Sequence, residues 1–231
     1  MEVKPPPHRR RPAFAAVATR RTIVEAAQLA FIERGYMATT IDQIASASGV
    51  AVQTVYNSVG PKRAVLAAVL DHVTAGPESP SSVPDFMRRR VAATRTGRGA
   101  VRVLAAWFAE VHGRLGPMLR VLRDAAAFDP GIAELERARD ARRFHNYHEA
   151  ARVIAERADL RVGLGIADAA ALIWSLGNAE IYRFLVLEQA WTPDRYRRWL
   201  EHALRAGLLR SSVPSGDSGP SDIDGGMTTA R

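Results

Sequence analysis

Apolar residues recur three and four positions apart along most of this chain, and nowhere do they alternate with polar ones over a strand's length. The pattern predicts an all-α protein. Residues 17–34 carry one stripe, Ile23, Ala26, Ala27, Ala30 and Phe31, and Gly35 stands where a glycine ends a helix. Thr40 is placed to cap the next helix, with Gln43 three residues on as its capping-box partner, and Ile41, Ile44 and Ala45 face inward. Ser48-Gly49 breaks that helix. A second short one follows from about Ala51 to Asn57, burying Val55. Gly60-Pro61 opens a longer helix, with Val65, Leu66, Val69, Leu70 and Val73 on its apolar side.

Residues 76–84, rich in Pro and Ser, read as a loop and a domain boundary. Beyond it, helices are predicted at 85–96, 100–113, 117–127, 131–158, 166–190 and 193–209. The breaks are Gly97/Gly99, Gly116-Pro117, Asp129-Pro130, Gly163/Gly165 and Thr192-Pro193. Asp129-Pro130 and Thr192-Pro193 each read as an N-cap followed by Pro at the first helical position. The ends differ. Residues 1–18 are expected to form a disordered basic arm, with Lys4, Arg9, Arg10 and Arg11 among prolines, and 210–231 a disordered tail.

Composition sharpens this picture. The 231 residues are 47% hydrophobic with a formal net charge of +8, which suits a globular chain and a polyanionic partner. The basic excess is nearly all arginine; the lysines are Lys4 and Lys62. With no cysteine, disulfides, thiol nucleophiles and thiolate-held zinc are excluded. No long uninterrupted apolar run and no leader-like segment is present, so no membrane partner and a cytoplasmic location are expected.

Residues 39–62 thus read as two short helices about a glycine turn, a helix–turn–helix. The first helix crosses the DNA backbone and the second fits a major groove about 12 Å wide. In Gly35-Tyr36, Thr40, Ile44-Ala45, Gly49-Val50, Thr54-Val55-Tyr56 and Lys62, followed by the apolar helix from Ala64 to Val73, the chain resembles the TetR (tetracycline-repressor-like) family of bacterial transcription regulators. The motif resemblance covers residues 19–73; the rest is similar in length and helical character.

That resemblance implies a helix–turn–helix DNA-binding domain at 19–75 and a helical effector-binding and dimerisation domain at 85–209. The Thr40 hydroxyl and amide would hold a phosphate, as would Thr54, Tyr56 and Lys62. Gln53 and Asn57 would read base edges, because an amide pairs bidentately with adenine. Ala51, Val52 and Ser58 share the front, with Val52 placed to meet a thymine methyl. Ala51 stands where the family often has Ser, which weakens the second helix's N-cap; Val59 replaces a common Phe, and Asp42 faces outward. The family also implies a palindromic operator, a homodimer through 166–190 and 193–209, and a small effector that releases a repressor from DNA by population shift. Trp107, Phe108, His112, Phe144, Tyr147, Trp174 and Asn178 are the candidate effector-binding residues, on helices where an aromatic stripe also serves as core.

Competing chemistry is thinner. Gly216-Asp217-Ser218-Gly219-Pro220 spells a serine-protease motif, but behind a helical body without a positioned His. Gly163-Leu164-Gly165 lacks the third glycine and the strand of a dinucleotide loop. His145, His148 and Glu149 could share a metal on one helix face, which keeps a metal-binding or enzymatic bundle as the alternative. An adaptor with a degenerate helix–turn–helix is a further one. The expectation is a regulator with no catalytic residues, metal or cofactor.

Overall fold

The computed structural model describes residues 11–76, 89–158 and 160–210. The basic residues before Arg11, the loop at 77–88 and the tail at 211–231, with its Gly-Asp-Ser-Gly string, lie outside the described residues. The described residues are helical and contain no strand; Leu160 and Leu209 form one isolated antiparallel bridge.

α1 (Arg11–Ala38) begins earlier than the sequence implies. Residues 11–18, read as part of the arm, are its first two turns; Pro12 sits where no intrahelical N–H bond is lost. Its regular run ends at Gly35, whose φ of 78° is open to glycine and strained for other residues. Thr39 is fully buried just beyond, its hydroxyl within bonding distance of the carbonyls of Gly35 (2.8 Å) and Ala30 (3.2 Å). α2 (Ile41–Ser48) carries the predicted capping box: Gln43 N–H donates to Thr40 Oγ1 at 3.2 Å, and Thr40 N–H to Gln43 Oε1 at 3.0 Å. Gly49 ends it in the left-handed region, φ 67°. α3 (Val52–Ser58) has no side-chain cap at Ala51, as the sequence implies, and buries Val55 completely. α4 (Lys62–Ala75) follows.

α5 (Gly97–Ala126) corrects a predicted break. It runs through Gly116-Pro117 without interruption. The buried series Leu104, Phe108, Val111, Leu115, Met118 and Leu122 is continuous across the proline, so packing outweighs a penalty of about 3 kcal/mol. Pro117 is exposed, and so is Gly113, whose carbonyl would have taken the missing N–H; water can serve instead. α6 (Pro130–Ala155) starts with Asp129 accepting from Gly131 N–H at 2.9 Å.

The predicted helix at 166–190 is instead three pieces: α7 (Ile166–Leu176), α8 (Ala179–Tyr182) and a π-helical segment, Arg183–Glu188. The first break falls at Gly177. A β-carbon on Gly177 would lie 2.2 Å from Cζ of Phe108, so the close approach admits only glycine. Asn178 then caps α8, its side chain accepting from Glu180 N–H at 2.8 Å. By length and composition Ile166–Glu188 is apolar enough to cross a membrane, but Asp168, Glu180 and Arg183 interrupt it, its helix is broken, and α7 packs on α6. α9 (Pro193–Leu208) closes the bundle against α5 and α7. One continuous core, from Ile23 to Leu209, joins the first four helices to the rest.

Candidate DNA interface and effector cavity

The turn at Gly49 sets α3 across α2, and burial of Val55 fixes which side of α3 faces out. Ala51, Val52, Gln53, Tyr56 and Asn57 are exposed; Thr54 and Ser58 are half-buried. Tyr56 is 46% exposed, unusual for an aromatic ring without an outside partner. Gln53 Nε2 donates to Asn57 Oδ1 at 2.9 Å, one turn apart, which orders both amides on the same face. Thr40 is exposed at the head of α2; its oxygen serves the cap, and its hydroxyl hydrogen stays available to an outside acceptor.

Lys62 is tethered. Its Nζ donates to the Met37 carbonyl at 3.3 Å and lies 4.4 Å from the centre of the Tyr36 ring. Partial burial draws its pKa below the usual lysine value, and the Asp129 carboxylate opposes that shift. The ammonium is therefore held at the edge of the α3 face rather than swinging in water. Arg63, next to it, pairs with Asp129 at 3.2 Å and so ties α4 to the head of α6.

Sequence reasoning missed Arg20. From α1, its guanidinium donates to the carbonyl of Ser58, the last residue of α3, and holds the free end of a helix that lacks an N-cap. The contact joins residues 38 apart, so no local signal announces it.

A cavity of about 800 Å³ opens between α4, α5 and α6. Of the seven candidate effector residues, Trp107, His112 and Tyr147 line it. Tyr147, Trp174 and Asn178 line an adjoining space of about 200 Å³. Phe108 and Phe144 line neither. Phe108 is fully buried, stacked 5.5 Å from His112 and tilted against Tyr147 at 5.6 Å, and it supports both rings. Phe144 is 37% exposed and packs edge-on against His148 and Trp174. The aliphatic lining, Leu70, Leu104, Leu115 and Leu119, and the basic Arg139 and Arg143 carry no local signal, because those residues share the spacing of ordinary core or surface positions.

Two wall residues have shifted proton affinities. Burial, then the Arg143 charge, lowers the His112 pKa to about 3. Burial raises that of Tyr147 to about 12, with Arg143 opposing and Asp140 adding to the rise. Both are uncharged at neutral pH. The other proposed chemistry has no such setting: His145 is exposed, Glu149 pairs with Arg152 at 3.0 Å, and no group of three metal-ligating side chains occurs among the described residues.

A helix–turn–helix with a polar outer face is thus joined through one core to a helical bundle with a cavity. Residues 23–69, which hold the helix–turn–helix, match the family model described as bacterial regulatory proteins, tetR family. Solved structures share the fold over nearly their whole length. NalD of Pseudomonas aeruginosa, described as the secondary repressor of the MexAB-OprM multidrug efflux pump, superposes with a TM-score of 0.66 at 21% identity, over 84% of this chain and 98% of that one. A complex of SmeT with triclosan gives 0.64 at 21% identity, over 92% and 100%; SmeT is described as the repressor of the Stenotrophomonas maltophilia efflux pump SmeDEF. FadR of Bacillus subtilis with stearoyl-CoA gives 0.65 at 15% identity, over 81% and 98%. No curated protein sequence matches the chain.

Proposed function

We propose that the protein is a cytoplasmic, homodimeric repressor that grips a palindromic operator and is released when a small molecule fills the cavity. The observation that carries this reading is the position of α4. Its first residue, Lys62, stands beside the α3 face, while Leu70, Asp71 and Thr74 near its other end line the cavity. The 14 residues make a rod of about 21 Å. Asp71 is paired with Arg139 of α6, and Arg114 of α5 donates to the carbonyls of Val73 and Thr74 at 3.1 and 3.2 Å. A ligand that repositions α5 and α6 therefore moves α4, and α3 with it. Release is a population shift toward a form with misplaced recognition helices.

On DNA, Thr40, Thr54, Tyr56 and Lys62 take phosphates, and Gln53 and Asn57 read bases, flanked by Ala51, Val52 and Ser58. The basic arm ahead of α1 adds phosphate contacts. Trp107, His112, Tyr147, Trp174 and Asn178 meet the effector, with Phe108 and Phe144 behind them. Dimerisation uses the 166–190 region with α9. Only 22% of the apolar Ile166–Glu188 window is buried, and Phe184 and Leu187 are 49% and 63% exposed. An apolar face of this kind fits a second copy of the chain, which would place two α3 helices about 34 Å apart, one turn of duplex. The protein's work is regulatory rather than catalytic. NalD and SmeT, described as repressors, share the fold, and SmeT and FadR were solved with triclosan and stearoyl-CoA, consistent with a filled bundle.

Sedimentation of the full chain, alone and with duplex DNA from upstream of its own coding sequence, tests the dimer. A dimer that binds two protomers per site, and that Phe184→Asp with Leu187→Asp converts to a weakly binding monomer, is the expected outcome. A monomer that binds the same DNA with undiminished affinity would overturn it.

A further inference from the structure

The charged side chains of the cavity are mostly paired. Arg139 meets Asp71, Arg143 meets Asp140, and Glu149 meets Arg152. Glu136 and Arg142 add one charge of each sign to the lining. Two uncharged polar side chains are in the opposite condition. His112 and Tyr147 are 4% and 7% exposed, both line the cavity, and neither has a hydrogen-bond partner among the described residues. His112 Nδ1 is enclosed with no partner at all. Leaving a buried polar group unpaired is costly, and replacing it with an apolar residue of the same shape is often harmless. Both rings pack against Phe108, at 5.5 and 5.6 Å between ring centres, and both line the same chamber, where they make an uncharged polar spot.

We propose that the effector is an apolar molecule with one uncharged hydroxyl group, held between His112 and Tyr147 while its body lies along Leu104, Trp107, Leu115 and Leu119. This rests on the effector reading above and adds the ligand's chemical class. A hydroxyl is the one small group that completes both residues through a single oxygen: it donates to an imidazole nitrogen and accepts from the Tyr147 hydroxyl. A carboxylate is the poorer fit. Burial keeps the imidazole neutral, the Arg139 and Arg143 charges are already met by Asp71 and Asp140, and the remaining lining cation, Arg142, is exposed to solvent rather than buried beside His112.

Three probes of one shape decide it: 4-pentylphenol, 4-pentylbenzoate and pentylbenzene, titrated at pH 7 into the full-length protein by calorimetry, with release of bound DNA followed in parallel. The phenol should bind at least about tenfold more tightly than either of the others, the scale of one or two good hydrogen bonds. Tyr147→Phe and His112→Phe should each cut that preference to about threefold or less and leave pentylbenzene affinity unchanged, whereas a merely structural role would weaken all three alike. Tyr147→Phe removes a single oxygen, so the test survives a folding defect in the other variant. Equal binding of the three probes, tighter benzoate, or no binding by any overturns the proposal. The two readings separate cleanly. Tight phenol binding that leaves DNA bound overturns effector release and keeps the ligand class. Release by pentylbenzene as effective as by the phenol does the reverse.

Discussion

The front of α3 and the wall of the cavity are both polar, and they are polar in opposite ways. Gln53, Tyr56 and Asn57 stand in water, which satisfies them until a partner displaces it. His112 and Tyr147 are buried in the cavity wall, and His112 Nδ1 is enclosed without a hydrogen-bond partner. An exposed polar face costs the free protein little, so its role is read from shape: a short helix, held behind by Val55 and at its end by Arg20, with its amides aligned. A buried unmet polar group costs stability in every molecule, so its role is read from the deficit. Between the two lies α4, rigid, continuous with both and pinned by Asp71 and Arg63.

The harshest way to break the comparison is to damage one region and watch the other. Gly177→Val drives a side chain into the Phe108 ring that supports the cavity wall, and should cost about 3 kcal/mol in chemical denaturation; an unchanged midpoint would contradict the packing account. Acid is the next largest lever. The folded His112 pKa lies near 3, below the 6.5 of an ordinary histidine, so the unfolded chain binds the extra proton first. The resulting penalty is absent above pH 6.5 and grows as pH falls toward 3, lowering stability by about 2 kcal/mol between pH 7 and 5. His112→Phe should remove that part of the pH dependence and lose no stability at pH 7.

On the DNA side the effects are smaller. Thr40→Ala deletes the capping box and should lower stability by about 1 kcal/mol, whereas Ala51→Ser, which supplies α3 with the missing cap, should raise it by up to about 1 kcal/mol. Thermal unfolding of the pair measures both signs. Lys62→Ala should scarcely change stability, because the ammonium is partly exposed, but should lower the slope of log affinity against log salt by about one unit.

What could be read from the sequence follows the reach of each interaction. Thr40 with Gln43, Gly35, Gly49 and the capless Ala51 act within a turn of chain, and each stands in the structure as its neighbours require. The passage of α5 through Pro117 is not legible locally, because packing overrides the breaker, and the early start of α1 has no such cause, since residues 15–18 are exposed. Gly177-Asn178 was a visible stop signal hidden by a strong apolar stripe; the Phe108 ring, from another helix, shows why only glycine fits there. The cavity draws on three helices far apart in sequence, so its aromatics could be guessed by type and its aliphatic lining could not.

The central claim is that the face around α3 and Lys62 reads duplex DNA. Fluorescence anisotropy of the full chain on upstream DNA, over a series of salt concentrations and with Gln53→Ala beside the wild type, tests it most directly. The account predicts log affinity falling linearly with log salt for both, with the variant's preference among operator sequences altered at one position in each half-site. Binding that ignores salt, or a Gln53→Ala protein with the wild-type sequence preference, would contradict it.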